Sequence, residues 1–200
     1  MCCAFFPKGP PERFPLVAPA THAKSQGMVC EILLWPDERL AQNAVPVAQV
    51  DDEVRRLVAD MFETMYAAEG VGLAAPQIGV HKRVVVLDVR HKLPESKPLV
   101  LVNPRIVQKE GSQQCEEGCL SVPGEFEVVE RAAWVRVEFL DEEGAPQALE
   151  CEGFLAIAVQ HEMDHLEGVV FVDRVSSLKR ELIRKRMRKL KSERARPLPL

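Results

Sequence analysis

Between residues 51 and 67 the apolar side chains Val54, Leu57, Val58, Met61, Phe62 and Met65 recur at spacings of three and four. That repeat is one face of an α-helix. Asp51 and Asp52 precede it, where carboxylates cap free N–H groups and meet the positive end of the helix dipole. The pattern predicts a helix over 51–67. Residues 69–76 break the periodicity with Gly70, Gly72 and Pro76, which predicts a loop. Residues 84–87 and 99–102 are short β-branched runs bounded by turn residues; both are predicted strands, with 106–109 a third. Over 134–140 the pattern alternates, with Val135, Val137 and Phe139 on one face and Arg136 and Glu138 on the other. A turn at 141–146 and an extended 147–151 complete an expected hairpin. Residues 154–166 form a second predicted helix, stopped by Gly168. A third, about 177–194, sets Leu178, Leu182, Ile183, Met187 and Leu190 on one side, with Pro197 and Pro199 beyond. Helices among short, mostly antiparallel strands place the chain in the α+β class.

Composition adds bounds. A chain of 200 residues, 46% hydrophobic and 28% charged, suits one soluble domain with tails. It has no run of about 18 apolar residues that would cross a membrane. The net charge of -4 hides a division. Between Arg174 and Leu200 eleven Lys and Arg stand beside only Glu181 and Glu193, a net of +9. Residues 1–173 hold the other fifteen basic side chains against 28 acids, a net of −13. Six cysteines occur without a secretory apolar segment ahead of them, so a reducing, cytoplasmic setting is expected. Residues 1–27 carry five prolines and no periodicity. They read as a disordered extension or a mis-assigned start, and the change of composition at Met28 favours translation beginning there.

The chemistry concentrates in three segments. His161-Glu-Met-Asp-His165 puts two imidazoles one helical turn apart on one face, able to share one metal ion, with Glu162 beside it as a base for activated water. The apolar approach over 154–159 buries this helix, and buried histidines and acids need strong partners. A third ligand is open from this motif alone. Cys119, within Glu116-Glu-Gly-Cys-Leu-Ser-Val-Pro123, offers a thiolate suited to zinc or ferrous iron, whereas His81 and His91 sit among charged neighbours and read as surface residues. Gly70-Val-Gly-Leu-Ala-Ala-Pro-Gln77 lacks the Lys-Ser/Thr pair of a phosphate loop. Its small residues permit close approach of an extended strand, and Gln77 brings an amide donor. Cys115 and Cys151 read as packing residues.

Together and in this order, the three segments closely resemble peptide deformylase, over about residues 28–194. The resemblance implies that Cys119, His161 and His165 hold one divalent metal, ferrous iron in the cell with zinc or nickel as alternatives. It implies Glu162 as the catalytic acid/base, Gln77 and the Leu120 N–H as the oxyanion hole, and Gly72 as a partner of the substrate backbone. Val71, Ile157 and Ala158 would help line a methionine pocket, and Glu117 would support the ligands from behind. The substrates implied are N-formyl-methionyl nascent peptides, and the long C-terminal helix resembles the bacterial class. Residues 28–175 are then the catalytic domain and 176–200 a basic helix and tail, with the ribosome as expected partner, no membrane, and a monomeric chain. Two rival readings remain: a zinc endopeptidase using the same helix, and a metal-stabilised module that binds RNA through its tail.

Overall fold

The computed structural model describes residues 27–194; the readings made for 1–26, for Pro197 and for Pro199 lie outside them. The first helix, α1 (Asp52–Ala67), is capped by Asp51, whose carboxylate accepts the Val54 N–H at 3.0 Å. Val54, Val58, Met61 and Met65 are buried, and Leu57 and Phe62 flank them at the edge of the stripe. Seven strands follow among the described residues: β1 (Gly72–Ala74), β2 (Val84–Leu87), β3 (Leu99–Glu110), β4 (Gln113–Cys119), β5 (Val122–Arg131), β6 (Trp134–Leu140) and β7 (Pro146–Glu152). Then come α2 (Gly153–Leu166) and α3 (Ser177–Arg194). One sheet runs β1-β2-β3-β6-β7 and a second pairs β4 with β5, all antiparallel.

The large sheet lies between α1 and α2, which explains the uninterrupted apolar run of β2. Val84 and Val86 join the cluster built on Met61 and Met65, while Val85 and Leu87 join the cluster built on Ile157 and Val159. Successive side chains of a strand face opposite ways, so both must be apolar when both faces are covered. The β6–β7 hairpin keeps the alternation read from sequence: Val135 and Val137 are buried, and Arg136 pairs outside with Glu150 at 2.9 Å.

Four expectations are corrected. Within 69–76, predicted as loop, Gly72–Ala74 is a strand: its small residues have little strand preference, but they pair with Val85–Leu87 of β2. The runs 99–102 and 106–109 are one strand, β3, bent at Asn103, whose φ is 53. The Asn103 amide there bonds both the N–H and the C=O of Val47 at 2.8 Å, so a turn-like residue serves inside a bulge. The β4–β5 hairpin was not predicted because its acids hide the alternation; they are offset by cations from distant elements, such as Lys179 on Glu127 and Arg186 on Glu125, both at 2.6 Å. On α3, Ile183 and Met187 are buried, but Leu178 and Leu182 are 71% and 45% exposed. The helix leans on the body along Ile183, Met187 and Leu190, and the neighbouring leucine stripe faces away. Arg184 stacks over the Trp35 ring at 5.2 Å, a cation–π contact that also holds α3.

Candidate metal centre

α2 is buried nearly all round, so polar groups on it must find partners inside the protein. His161 and His165 lie one turn apart on this helix, and Cys119 ends β4 at the tight crossing into β5. One ligand atom from each comes within 4.8 Å of the others, and all three residues are buried. Cys119 Sγ is 3.3 Å from His165 Nε2. His161 Nδ1 donates to Glu117 Oε2 at 2.8 Å, which makes Nε2 the ring nitrogen that carries a lone pair. Burial alone would raise the Glu117 carboxyl, but the Arg131 guanidinium and His161 outweigh it and hold its pKa at about 2.

Arg131 grips Glu117 through two hydrogen bonds of 2.7 and 2.8 Å and reaches Asp164 at 2.5 Å. Asp164 is held in turn by Arg174 at 2.6 Å. A row of alternating charge therefore runs from the buried His161 out to the exposed Arg174, just ahead of α3. Two buried atoms beside it, His165 Nδ1 and Glu162 Oε2, have no hydrogen-bond partner among the described residues. A thiolate with two imidazoles, one oriented by a carboxylate, is a donor set that suits zinc or ferrous iron, and the residues fit such an ion.

Glu162 is almost fully buried, and burial pushes its carboxyl up to about 7. It lies against Gly72, where an added Cβ would stand 2.5 Å from Oε1. Gln77 is held at both ends: Oε1 accepts the Ala74 N–H at 2.8 Å, and Nε2 lies 3.5 Å from Cys119 Sγ and 3.2 Å from Ser121 Oγ. The segment before α1 braces this wall, with Leu33 N–H on Gln77 O at 2.8 Å and Trp35 N–H on Ser121 O at 2.9 Å.

These groups enclose a pocket lined by Gly70, Val71, Gly72, Gln77, Gly118, Cys119, Leu120, His161 and Glu162. Its volume, about 10 Å³, is room for roughly one water. Ile157 and Ala158 are buried in the same apolar cluster as Val71 and do not line this pocket. His81 and His91 stand apart from the metal cluster; His91 is exposed, edge-on to Phe154 at 6.0 Å. Cys115 and Cys151 pack around α2, and burial pushes the Cys151 thiol up to about 12.

The profile of the polypeptide deformylase family matches residues 29–181. The chain belongs to this family. A peptide deformylase from Alkalilimnicola ehrlichii is 54% identical over 162 residues, 81% of this chain and 90% of that one. One from Neisseria gonorrhoeae is 55% identical over 158 residues, 79% and 93% of the two chains. Among solved structures, a peptide deformylase from Legionella pneumophila superposes with a TM-score of 0.79 at 47% identity, covering 85% of this chain and 99% of that one. One from Synechococcus elongatus in complex with actinonin gives 0.73 at 41% identity, covering 86% and 97%.

Beside the residues read from the deformylase motifs, the fold adds Arg131, Asp164, Arg174 and Ser121. Asp164 and Ser121 lie inside the motifs, so buried polar residues there were a signal. Arg131 and Arg174 gave none: their partners are 14 and 10 positions away or more, joined only by folding.

Proposed function

We propose that this chain removes the formyl group from the N-terminal methionine of newly made polypeptides. The observation that carries the reading is the convergence of Cys119, His161 and His165 on one point, with a buried, unpartnered Glu162 carboxyl in the same small pocket. A divalent ion held by those three residues would supply Lewis acidity, polarising the formyl carbonyl and making water a nucleophile near neutral pH.

The protein's own groups do the rest. Glu162, with a pKa near 7, accepts a proton from the attacking water and returns it to the leaving amine. Gln77 Nε2 and the Leu120 N–H donate to the carbonyl oxygen as it becomes anionic. Glu117 and Arg131 keep the His161 ring in one tautomer. β1 is an edge strand of its sheet, so the backbone of Gly72 has a side on which an extended substrate can pair. Val71 lines the pocket where it can meet the methionine side chain, and Ile157 and Ala158 belong to the same apolar cluster. The pocket is tight, which suits a formyl carbon that carries only hydrogen and crowds the methyl of an acetyl group, so N-acetyl-methionyl peptides should be turned over far more slowly.

Ferrous iron is the ion assigned here, with zinc or nickel able to replace it, and the thiolate makes the iron form sensitive to air. The chain acts as a monomer in the cytoplasm; no described helix is long and apolar enough to cross a membrane. For the ribosome, α3 offers Lys185 and Arg188, which lack a salt bridge among the described residues, whereas Lys179, Arg180 and Arg186 are engaged by Glu127, Asp173 and Glu125. Cutting α3 away would also remove the buried Ile183 and Met187, so reversing Lys185 and Arg188 to Glu is the cleaner test. Salt-sensitive ribosome binding should fall while turnover of a small peptide persists.

The deciding experiment measures formate release from formyl-Met-Ala-Ser after anaerobic iron loading. Glu162→Ala should abolish turnover and keep the metal, and Cys119→Ser should lose the metal. Cleavage of internal peptide bonds, with metal retained in Cys119→Ser, would refute the reading.

A further inference from the structure

His161 and Asp164 lie three residues apart on α2, and so on one face of it. Glu117 and Arg131 close a ring between them. His161 Nδ1 meets Glu117 at 2.8 Å, Glu117 meets Arg131 at 2.7 and 2.8 Å, and Arg131 meets Asp164 at 2.5 Å. A ring of this kind orients an imidazole only while every member stays in place. The side chains of His161, Glu117 and Arg131 are at most 2% exposed, whereas that of Asp164 is 15% exposed. Of the four, Asp164 is the most open to water, and its carboxylate turns freely unless something outside the ring holds it.

That hold comes from Phe171–Arg174, a single 3-10 turn between α2 and α3. Arg174 Nε donates to Asp164 Oδ2 at 2.6 Å and Arg174 Nη2 to Oδ1, a two-pronged grip on both oxygens. The first residue of the same turn reaches the histidine directly. The Phe171 ring stacks on the His161 ring, with centroids 6.3 Å apart and planes 25° from parallel. Phe171 and Val172 are buried, and Asp173 Oδ2 accepts the Val170 N–H at 3.0 Å, so the turn is itself well anchored. Its four residues thus touch His161 on the ring face and, through Asp164, Arg131 and Glu117, at Nδ1. Phe171 and Arg174 both lie outside the three sequence motifs.

We propose that Arg174 is a positioning residue for the metal centre: its grip on Asp164 closes the ring that orients His161, and so sets how firmly the ion is held. The inference rests on the metal centre of the deformylase reading and adds a residue to it. Charge alone predicts the opposite sign. Arg174 is a cation, and removing it would lessen repulsion and tighten the hold on a metal ion. Its side chain is 40% exposed, however, so water screens that repulsion, and the loss of order outweighs it.

The test uses the full chain, stripped of metal and titrated with Co2+ alone against a chelator, with the visible absorption of the bound ion recorded. Arg174→Met should weaken Co2+ binding about five-fold, the scale on which residues of such a network act, and should shift the absorption bands. Arg174→Lys keeps the charge but cannot hold both oxygens, and should lose about half as much. Arg180→Met is the control. It removes the 2.7 Å pair between Arg180 and Asp173 of the same turn without touching the ring, so affinity and bands should match the wild type. Wild-type binding in both Arg174 variants overturns the proposal, as does tighter binding in Arg174→Met, which is repulsion acting alone. An equal loss in Arg180→Met also overturns it, because the effect is then general loosening of the turn. A wild type that binds Co2+ and, loaded anaerobically with ferrous iron, releases formate from formyl-Met-Ala-Ser, yet shows no Arg174 effect, removes this inference alone. A wild type that does neither removes the deformylase reading with it.

Discussion

Adding one methyl group at Gly72 tests how tightly the proposed acid/base is seated. The built Cβ stands 2.5 Å from Glu162 Oε1 and 2.8 Å from both Cδ and Cγ, whereas ordinary contact begins near 3.4 Å. The carboxyl must therefore retreat by roughly 0.9 Å. Gly72 is not among the residues with positive φ, so alanine fits the backbone there and the cost is borne by Glu162. A misplacement of about 1 Å at a reacting group costs about 10²-fold, or about 2.7 kcal/mol of transition-state stabilisation. Gly72→Ala should thus lower kcat about 100-fold in formate-release kinetics, with KM nearly unchanged because the backbone groups that pair with substrate remain. Bound metal, counted by elemental analysis, should stay at wild-type level. Gly70→Ala is the control: its Cβ would meet the flexible end of Leu120 at 2.8 Å, and the loss should be under about three-fold. A loss confined to KM, or a Gly72→Ala enzyme within about three-fold of wild type, would refute the argument.

Arg131→Met strands the buried Glu117 and leaves Asp164 with Arg174 alone, which should cost about 3–5 kcal/mol in thermal unfolding and weaken metal binding about 10–100-fold in chelator competition. Unchanged metal affinity would detach this row of charges from the centre. Ser121→Ala releases one side of the Gln77 amide, so kcat should fall about ten-fold with KM and metal content constant; a KM effect alone would contradict that. Asp88 sits under Tyr66 and Arg90; burial alone would raise its carboxyl, but the hydrogen bonds from those two side chains hold it below the ordinary 3.8. A lowered folded pKa means stability present above the unfolded value and lost as pH falls through the folded one. Asp88→Asn should therefore cost about 2 kcal/mol in urea unfolding at pH 7 and progressively less as the pH falls below the ordinary 3.8; a gap that does not shrink on acidification would refute the assignment.

The readable parts of the fold share a property: each is set by neighbours in sequence. α1 follows from its stripe and Asp51, and the β6–β7 hairpin from alternation and a turn. The unreadable parts depend on distant partners. β1 is a strand only because β2 lies beside it, and the acids of β4 and β5 are tolerated only because Arg131 reaches across the hairpin from the end of β5 and Lys179 and Arg186 arrive from α3.

The candidate site divides the same way. Spacing on one helix already placed His161, Glu162 and His165 together, because a helical turn is a local geometry. By itself the sequence therefore determined the metal chemistry and the α+β class, and the three motifs in order pointed to the family. Tertiary structure decided what spacing cannot reach. It brought Cys119 to the histidines across more than 40 positions, set Glu117, Arg131 and Asp164 behind them, and pressed Glu162 onto Gly72. It also turned Leu178 and Leu182 of α3 away from the body. Such contacts form between segments whose separation along the chain carries no information about their distance in space, so only the packing of sheet against helix could settle them.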